Sequence, residues 1–107
     1  MPNQKQPPED KRLDWLPEPP GNHMPLISYF TEIFIRVRYG DEQRRLYVEY
    51  GGDTATFDFD GNMLAGEFPA KQRMYVKVWA DIRRHDLNVL WQLMRREDAC
   101  FKIRGLD

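Results

Sequence analysis

The chain has 107 residues, which is enough for one hydrophobic core and too few for two independent ones. With 41% hydrophobic and 31% charged residues, its composition is typical of a folded globular protein rather than a disordered or membrane-spanning one. The net charge of -1 provides no overall field that would attract nucleic acid or anionic lipid, so any such binding requires a local patch.

The chain contains no apolar run of the length that a bilayer requires, and it does not begin with the basic and then apolar layout of a signal peptide. These features predict a cytoplasmic protein with no membrane association. The single cysteine, Cys100, permits no internal disulfide bond, which agrees with a reducing compartment. We expect its side chain to be a half-buried small hydrophobe rather than a reactive thiol.

Residues 1–24 predict a Pro-rich, disordered N-terminal arm, because they hold six of the eight prolines and few apolar residues. Within the arm, "LDWLPEPP" places Leu13, Trp15 and Leu16 among charges and prolines. This composition is typical of a short linear segment that docks in an apolar groove of a partner. The alternative is that Trp15 folds back onto the protein's own core or has no role.

Residues 25–107 predict a single domain whose first half is a β-meander. Apolar and polar residues alternate in "TEIFIRVRY", "RRLYVEY" and "DTATFDF", and this period of two is typical of half-buried strands. "GG" at 51–52 and "DGN" at 60–62 predict turns, and 63–66 a short fourth strand. The predicted inward residues are Ile33, Ile35, Val37, Tyr39, Leu46, Val48, Tyr50, Ala55, Phe57 and Phe59.

The second half changes to helical spacing after Pro69. Two apolar stripes predict two helices, with the second beginning near Asp86. The stripes are Tyr75, Val78, Trp79 and Ile82, and then Leu87, Leu90, Trp91 and Met94. The predicted fold is α+β, with an antiparallel meander of three to four strands packed on one face by two helices and open to solvent on the other. "FKIRGL" at 101–106 is a candidate edge strand.

Several segments together resemble the bacterial family called domain of unknown function 4160. They are "PLISYF" through "VEYGG", "DGNMLAGEFP", the tryptophans at 79 and 91, and "FKIRGL", and the resemblance covers residues 25–107. Members of that family are small and are often encoded beside another small protein of unknown function. The resemblance therefore implies a paired module, such as a toxin–antitoxin system.

The chain departs from the family pattern just before "VEYGG". Typical members carry "PPHFH" there, and this chain has "QRRLY", so that Arg45 and Tyr47 replace both histidines. A helical histidine of the family corresponds to Arg83, and His85 would point from another side of the helix. Any acid–base or metal chemistry of the family histidines is unavailable to this chain in the same form, because arginine stays protonated.

The remaining residues supply no recognisable catalytic or metal-binding pattern. His23 and His85 form no pair at ligand spacing, and no nucleophile lies beside a plausible base. The acids at 53, 58 and 60 flank a turn and are typical turn formers. We predict no metal and no cofactor, and the sequence leaves catalysis undecided while favouring a non-catalytic protein.

The leading interpretation is a small non-catalytic interaction component of a bacterial two-protein, toxin–antitoxin-like module, whose arm at Leu13, Trp15 and Leu16 orders on a small protein partner. The alternative is a small RNA-binding protein or ribonuclease that uses the outward strand face, with Glu49 as base. That face would carry Arg36, Arg38, Arg45, Tyr47 and Glu49, or would simply be solvated. A homodimer through Phe34 or an unpaired strand edge is a third candidate.

Overall fold

A computed structural model of the chain describes residues 24–97 and 99–106. Five antiparallel strands pair in chain order, and two helices follow them. The elements are β1 Leu26–Phe30, β2 Ile33–Arg36, β3 Arg45–Tyr50, β4 Asp53–Asp58, β5 Met63–Gly66, α1 Ala70–Ile82 and α2 Arg84–Glu97. The α+β class is confirmed, and the strand count is five rather than three or four. Apart from Met24, the predicted arm lies outside the described residues.

The additional strand is β1, which the alternation rule could not find. Its sequence "LISYF" is buried at four of its five positions, so it shows no polar and apolar alternation. A tight turn at Thr31 and Glu32, with φ of 44° and 65°, joins it to β2. The strand predicted over 31–39 is therefore the second arm of a hairpin, and it ends at Arg36.

The other strands follow the predicted alternation closely. Their inward side chains form one core against the helices, whereas Tyr39 and Tyr50 are only half-buried at its edge. The buried inward residues are Ile33, Ile35, Val37, Leu46, Val48, Ala55, Phe57 and Phe59. Because opposite residues of neighbouring strands share a face, the remaining side chains form a second, outer face.

The helices cover the inner face, and α1 does so with the predicted Trp79 and the half-buried Tyr75 but not with the rest of its predicted stripe. Its buried residues are Val76, Trp79 and Ala80, whereas Val78 and Ile82 are exposed. Two apolar stripes overlap on this helix, and the sheet buries the one at i, i+3 and i+4 from Val76. α2 buries Leu87, Leu90 and Met94 as predicted, with Trp91 half-buried. It begins at Arg84, so Asp86 lies in its first turn.

The C-terminal segment closes the free edge of β1 without becoming a strand. The Ile103 amide donates to the Ile27 carbonyl at 2.6 Å, and the Ser28 hydroxyl donates to the Ile103 carbonyl at 2.8 Å. The Trp79 indole N–H donates to the Arg104 carbonyl at 2.8 Å. This segment is thus attached to both the sheet and α1.

The turn between β4 and β5 is fixed by its own polar groups. The Asp58 carboxylate accepts from the amides of Asp60 and Asn62 at 3.0 and 2.9 Å, as expected of a turn former. Gly61 has φ of 87°, and a Cβ there would lie 2.7 Å from the Cα of Lys77. Glycine at this position lets α1 approach the turn closely.

We expect Trp79→Phe to destabilise the domain by about 2 kcal/mol, because it leaves a cavity beside Phe30 and removes the bond to the Arg104 carbonyl. Urea unfolding checks the value. Val78→Ala on the exposed side of α1 is the control, with an expected change within about 0.5 kcal/mol. Equal effects of the two substitutions would contradict the packing described here.

Candidate functional site

The outer face of the sheet carries four of the five residues predicted for an RNA site, because Arg36, Arg45, Tyr47 and Glu49 lie on paired strands with the same alternation. Arg36 on β2 lies opposite Tyr47 on β3, and Tyr47 lies opposite Thr56 on β4, which in turn lies opposite Ala65 on β5. Glu49 follows Tyr47 by two positions and therefore points to the same face. One row of side chains thus crosses four strands.

This row forms the floor of a concavity of about 330 Å³. We call it the outer-face groove, and its lining includes Met24, Arg36, Tyr47, Glu49, Thr56 and Ala65. The space exists because the side of β4 and β5 carries small side chains beside the longer ones of β2 and β3. Its volume is at the lower end of the range of small-molecule and side-chain pockets.

Arg36 holds the start of the described chain at the groove. Its guanidinium Nη1 donates to the Met24 carbonyl at 2.9 Å. The Val37 amide donates to the Pro25 carbonyl at 3.2 Å, which extends the pairing of β1 and β2 beyond Leu26. The described part of the chain therefore begins at the groove wall.

Asp41 engages two of the predicted RNA-binding side chains. It accepts from Arg38 Nη2 at 2.7 Å and from the Tyr47 hydroxyl at 2.7 Å. The Arg38 Cζ also lies 5.5 Å from the centre of the Tyr47 ring. Burial, followed by the hydrogen bond to Asp41, raises the pKa of Tyr47 above its usual 10.0. Tyr47 is therefore held in its protonated form, with its hydroxyl directed to the β2–β3 loop.

The other two predicted residues differ in their surroundings. Arg45 lies opposite Asp58, donates to Gln43 Oε1 at 2.8 Å, and has a buried Nε with no partner among the described residues. Glu49 is exposed, and its carboxylate forms no hydrogen bond or ion pair within the described part of the chain. The predicted set therefore divides: Arg36, Tyr47 and Glu49 line the groove, and Arg38 and Arg45 do not.

The predicted arm residues Leu13, Trp15 and Leu16 lie outside the described residues. Their role therefore stays a prediction. Phe34, the residue considered for a homodimer, is half-buried and packs on Tyr29 with ring centres 4.7 Å apart.

A basic and aromatic cluster beside α2 was not predicted. The guanidinium carbons of Arg44 and Arg95 lie 5.9 and 5.4 Å from the centre of the Trp91 ring. Arg44 also donates to Asn88 Oδ1 at 2.9 Å. Arg95 follows Trp91 by four residues on α2, but Arg44 is distant from both in sequence, so no spacing pattern indicates its place in the cluster. The contacts of Asp41 depend on the course of the β2–β3 loop and were not predicted either.

A second unpredicted surface lies on the outward side of α1. Met74, Val78 and Ile82 follow one another at intervals of four residues, with exposed fractions of 64%, 42% and 55%. This spacing places them on one line along the helix, about 12 Å from first to last at 1.5 Å per residue. We call this line the α1 stripe. The sequence contains its signal, because α1 carries more apolar residues than a single core-facing stripe needs.

Metal binding and membrane insertion find no support in the described residues. Over 24–97 and 99–106, no group of three or more His, Cys, Asp or Glu side chains is placed to hold a metal ion. Neither α1 nor α2 is long and apolar enough to cross a membrane.

The fold and its sequence define an α+β domain with a five-stranded meander and two helices on one face. The family model described as "Domain of unknown function (DUF4160)" matches residues 33–92, which is more than half of the chain. The chain belongs to this family, as its resemblance indicated. The match runs from β2 into α2 and leaves out β1 and the C-terminal segment. Comparison with curated proteins and with solved structures finds no match.

We expect Asp41→Asn to lower the pKa of Tyr47, because the substitution removes a negative charge that disfavours the phenolate. The pKa should fall towards 10.0 without reaching it, since burial also raises it. NMR titration of the tyrosine ring carbons measures the value, with Tyr47→Phe to assign the signal. A pKa that is unchanged in Asp41→Asn would show that the two side chains do not interact in solution.

Proposed function

We propose that this protein is a non-catalytic interaction component of a bacterial two-protein module of toxin–antitoxin type, and that it binds its partner through the α1 stripe. The resemblance to a family whose members are often encoded beside a second small protein supports the pairing. The exposure of the α1 stripe is the observation that supports a binding surface on this helix.

Helix α1 carries apolar residues on two sides. Val76, Trp79 and Ala80 already fill the core, and the α1 stripe lies outside it. Single exposed apolar residues are ordinary on protein surfaces, but three in line on one helix form a continuous patch. A helix with apolar residues on opposite sides is typical of one that is covered on both. The sheet covers one side, and a partner would cover the other.

The charges beside the stripe indicate the chemistry of the partner. Lys71 and Arg73 are exposed at its N-terminal end, and the first turn of α1 contains no acidic residue. Asp81 at the other end pairs with Arg84 at 3.1 Å. A complementary partner would therefore present an apolar segment with acidic residues at one end.

The sheet face is less suited to RNA than its sequence suggests. Asp41 neutralises Arg38, which leaves Arg36 and Arg45 as the two cations of the predicted set that could contact a phosphate backbone. Binding of a phosphate backbone depends on several cations that release counterions together. A ribonuclease would also need groups that converge, yet the Tyr47 hydroxyl is directed to Asp41 rather than to Glu49.

We expect Val78→Glu to weaken binding of the partner about tenfold, because it places a charge in the middle of an apolar contact. Tagged protein is purified from its native host with nuclease treatment, and the co-purified small protein is quantified by mass spectrometry. Glutamate is a good helix former, so the substitution leaves the exposed side of α1 helical.

Val89→Glu is the matched control, because Val89 has an exposed fraction of 44% against 42% for Val78 and lies on α2. It should retain the partner in full. Equal recovery with both variants would contradict binding through the α1 stripe. Recovery of RNA from a parallel purification without nuclease, and its loss on added nuclease or salt, would favour the sheet face and contradict the proposal.

A further inference from the structure

The outer-face groove has no role in the binding proposed for the α1 stripe, since the two lie on opposite sides of the domain. The two sides of the outer-face groove carry different kinds of side chain. Arg36, Tyr47 and Glu49 supply charge and aromatic surface on one side, and Thr56 and Ala65 leave room on the other. Such a concavity suits a flat aromatic side chain with a neighbouring carboxylate.

We propose that the groove is a docking site for the chain's own arm, with Trp15 as the inserted residue and Leu13 and Leu16 beside it. The occupant follows from where the described chain begins. Met24 lines the groove, and the bond from Arg36 Nη1 to its carbonyl fixes it there at 2.9 Å. The arm is therefore joined to the domain at the groove that it would fill.

The length of the arm is sufficient. Trp15 precedes Met24 by nine residues, and an extended Pro-rich chain spans about 3.1 Å per residue, or about 28 Å. The groove crosses three strand intervals from β2 to β5, about 14 Å at roughly 4.8 Å each. The sequence "PGNH" at 20–23 is a turn signal, so the chain can reverse across the sheet with length to spare.

The chemistry of the arm also fits. In "LDWLPEPP", Asp14 and Glu18 flank Trp15 closely. The guanidinium of Arg36 has five N–H donors, and the bond to Met24 uses one. One of these carboxylates would pair with this cation, whereas the exposed carboxylate of Glu49 disfavours a second acid at the same wall. Because the arm is tethered at Met24, its effective concentration at the groove is of millimolar order, so a weak contact is enough to fill the site.

The experiment labels the whole chain with 5-fluorotryptophan and records the fluorine NMR spectrum, in which Trp15→Phe assigns the arm resonance. Trp79 is fully buried, so its resonance reports the fold in every variant. We expect the Trp15 resonance to lie away from its position in urea-unfolded protein. Ala65→Arg, which fills the groove, should return it to that position.

Leu64→Arg is the matched control, because Leu64 is the exposed neighbour of Ala65 on β5 and is not part of the groove lining. Leu64→Arg should leave the Trp15 resonance at its position in the parent chain, and dilution of the protein should not move that resonance either. A Trp15 resonance at the unfolded position in the parent chain would overturn the proposal. The proposal would also be overturned if the displacement of the Trp15 resonance survived Ala65→Arg, or if Val78→Glu abolished it instead. A displacement that depends on protein concentration would overturn it as well.

Discussion

The structure depends on the burial of Trp79. Its ring packs on Phe30 of β1 with centres 6.1 Å apart, and its N–H donates to the Arg104 carbonyl. Sheet, helix and C-terminal segment therefore meet at one side chain. A buried indole requires a hydrogen-bond acceptor, and here the acceptor comes from the same segment that closes the edge of β1. Arg83 reinforces this attachment by donating to the Gly105 carbonyl at 2.6 Å.

The helices and the C-terminal segment cover the inner face of the sheet, so the outward side of α1 and the outer face of the sheet are the surfaces left exposed for binding. The core needs only one side of α1, which leaves Met74, Val78 and Ile82 outside it. The outer face of the sheet keeps a groove because, among the described residues, no other element covers β4 and β5. Charge is distributed unevenly between these surfaces, since Asp41 compensates Arg38 near the sheet whereas Lys71 has no carboxylate in its own turn. Attraction of an acidic partner is therefore expected at α1.

The parts of the fold that were predicted from sequence are those with strict local periodicity. Ile33 and Ile35, like Leu46 and Val48, alternate with polar residues because one face of the sheet is buried and the other is not. β1 was not predicted because four of its five residues are buried, so that it shows no alternation. The C-terminal segment pairs with its edge, and no local pattern encodes that contact. On α1 the periodicity was present twice, so hydrophobicity alone could not decide between Val76 and Val78.

The candidate site was less predictable for the same reason. Alternation correctly placed Arg36, Tyr47 and Glu49 on one face, but it could not show that Asp41 takes the hydroxyl of Tyr47. Contacts made by loops depend on the path of the chain, which a period of two does not describe. The outer-face groove likewise arises from side-chain size across four strands, and only the register of the sheet brings those residues together.

Native mass spectrometry of the protein purified from its host, after nuclease treatment, tests the central claim most directly. We expect a complex of this chain with a second, different small protein that presents acidic residues beside an apolar segment. The complex should persist in salt concentrations that screen surface charges, because apolar contacts hold it together. A bare monomer, a homodimer, or a mass that is lost with nuclease would contradict the claim that this domain is the interaction component of a two-protein module.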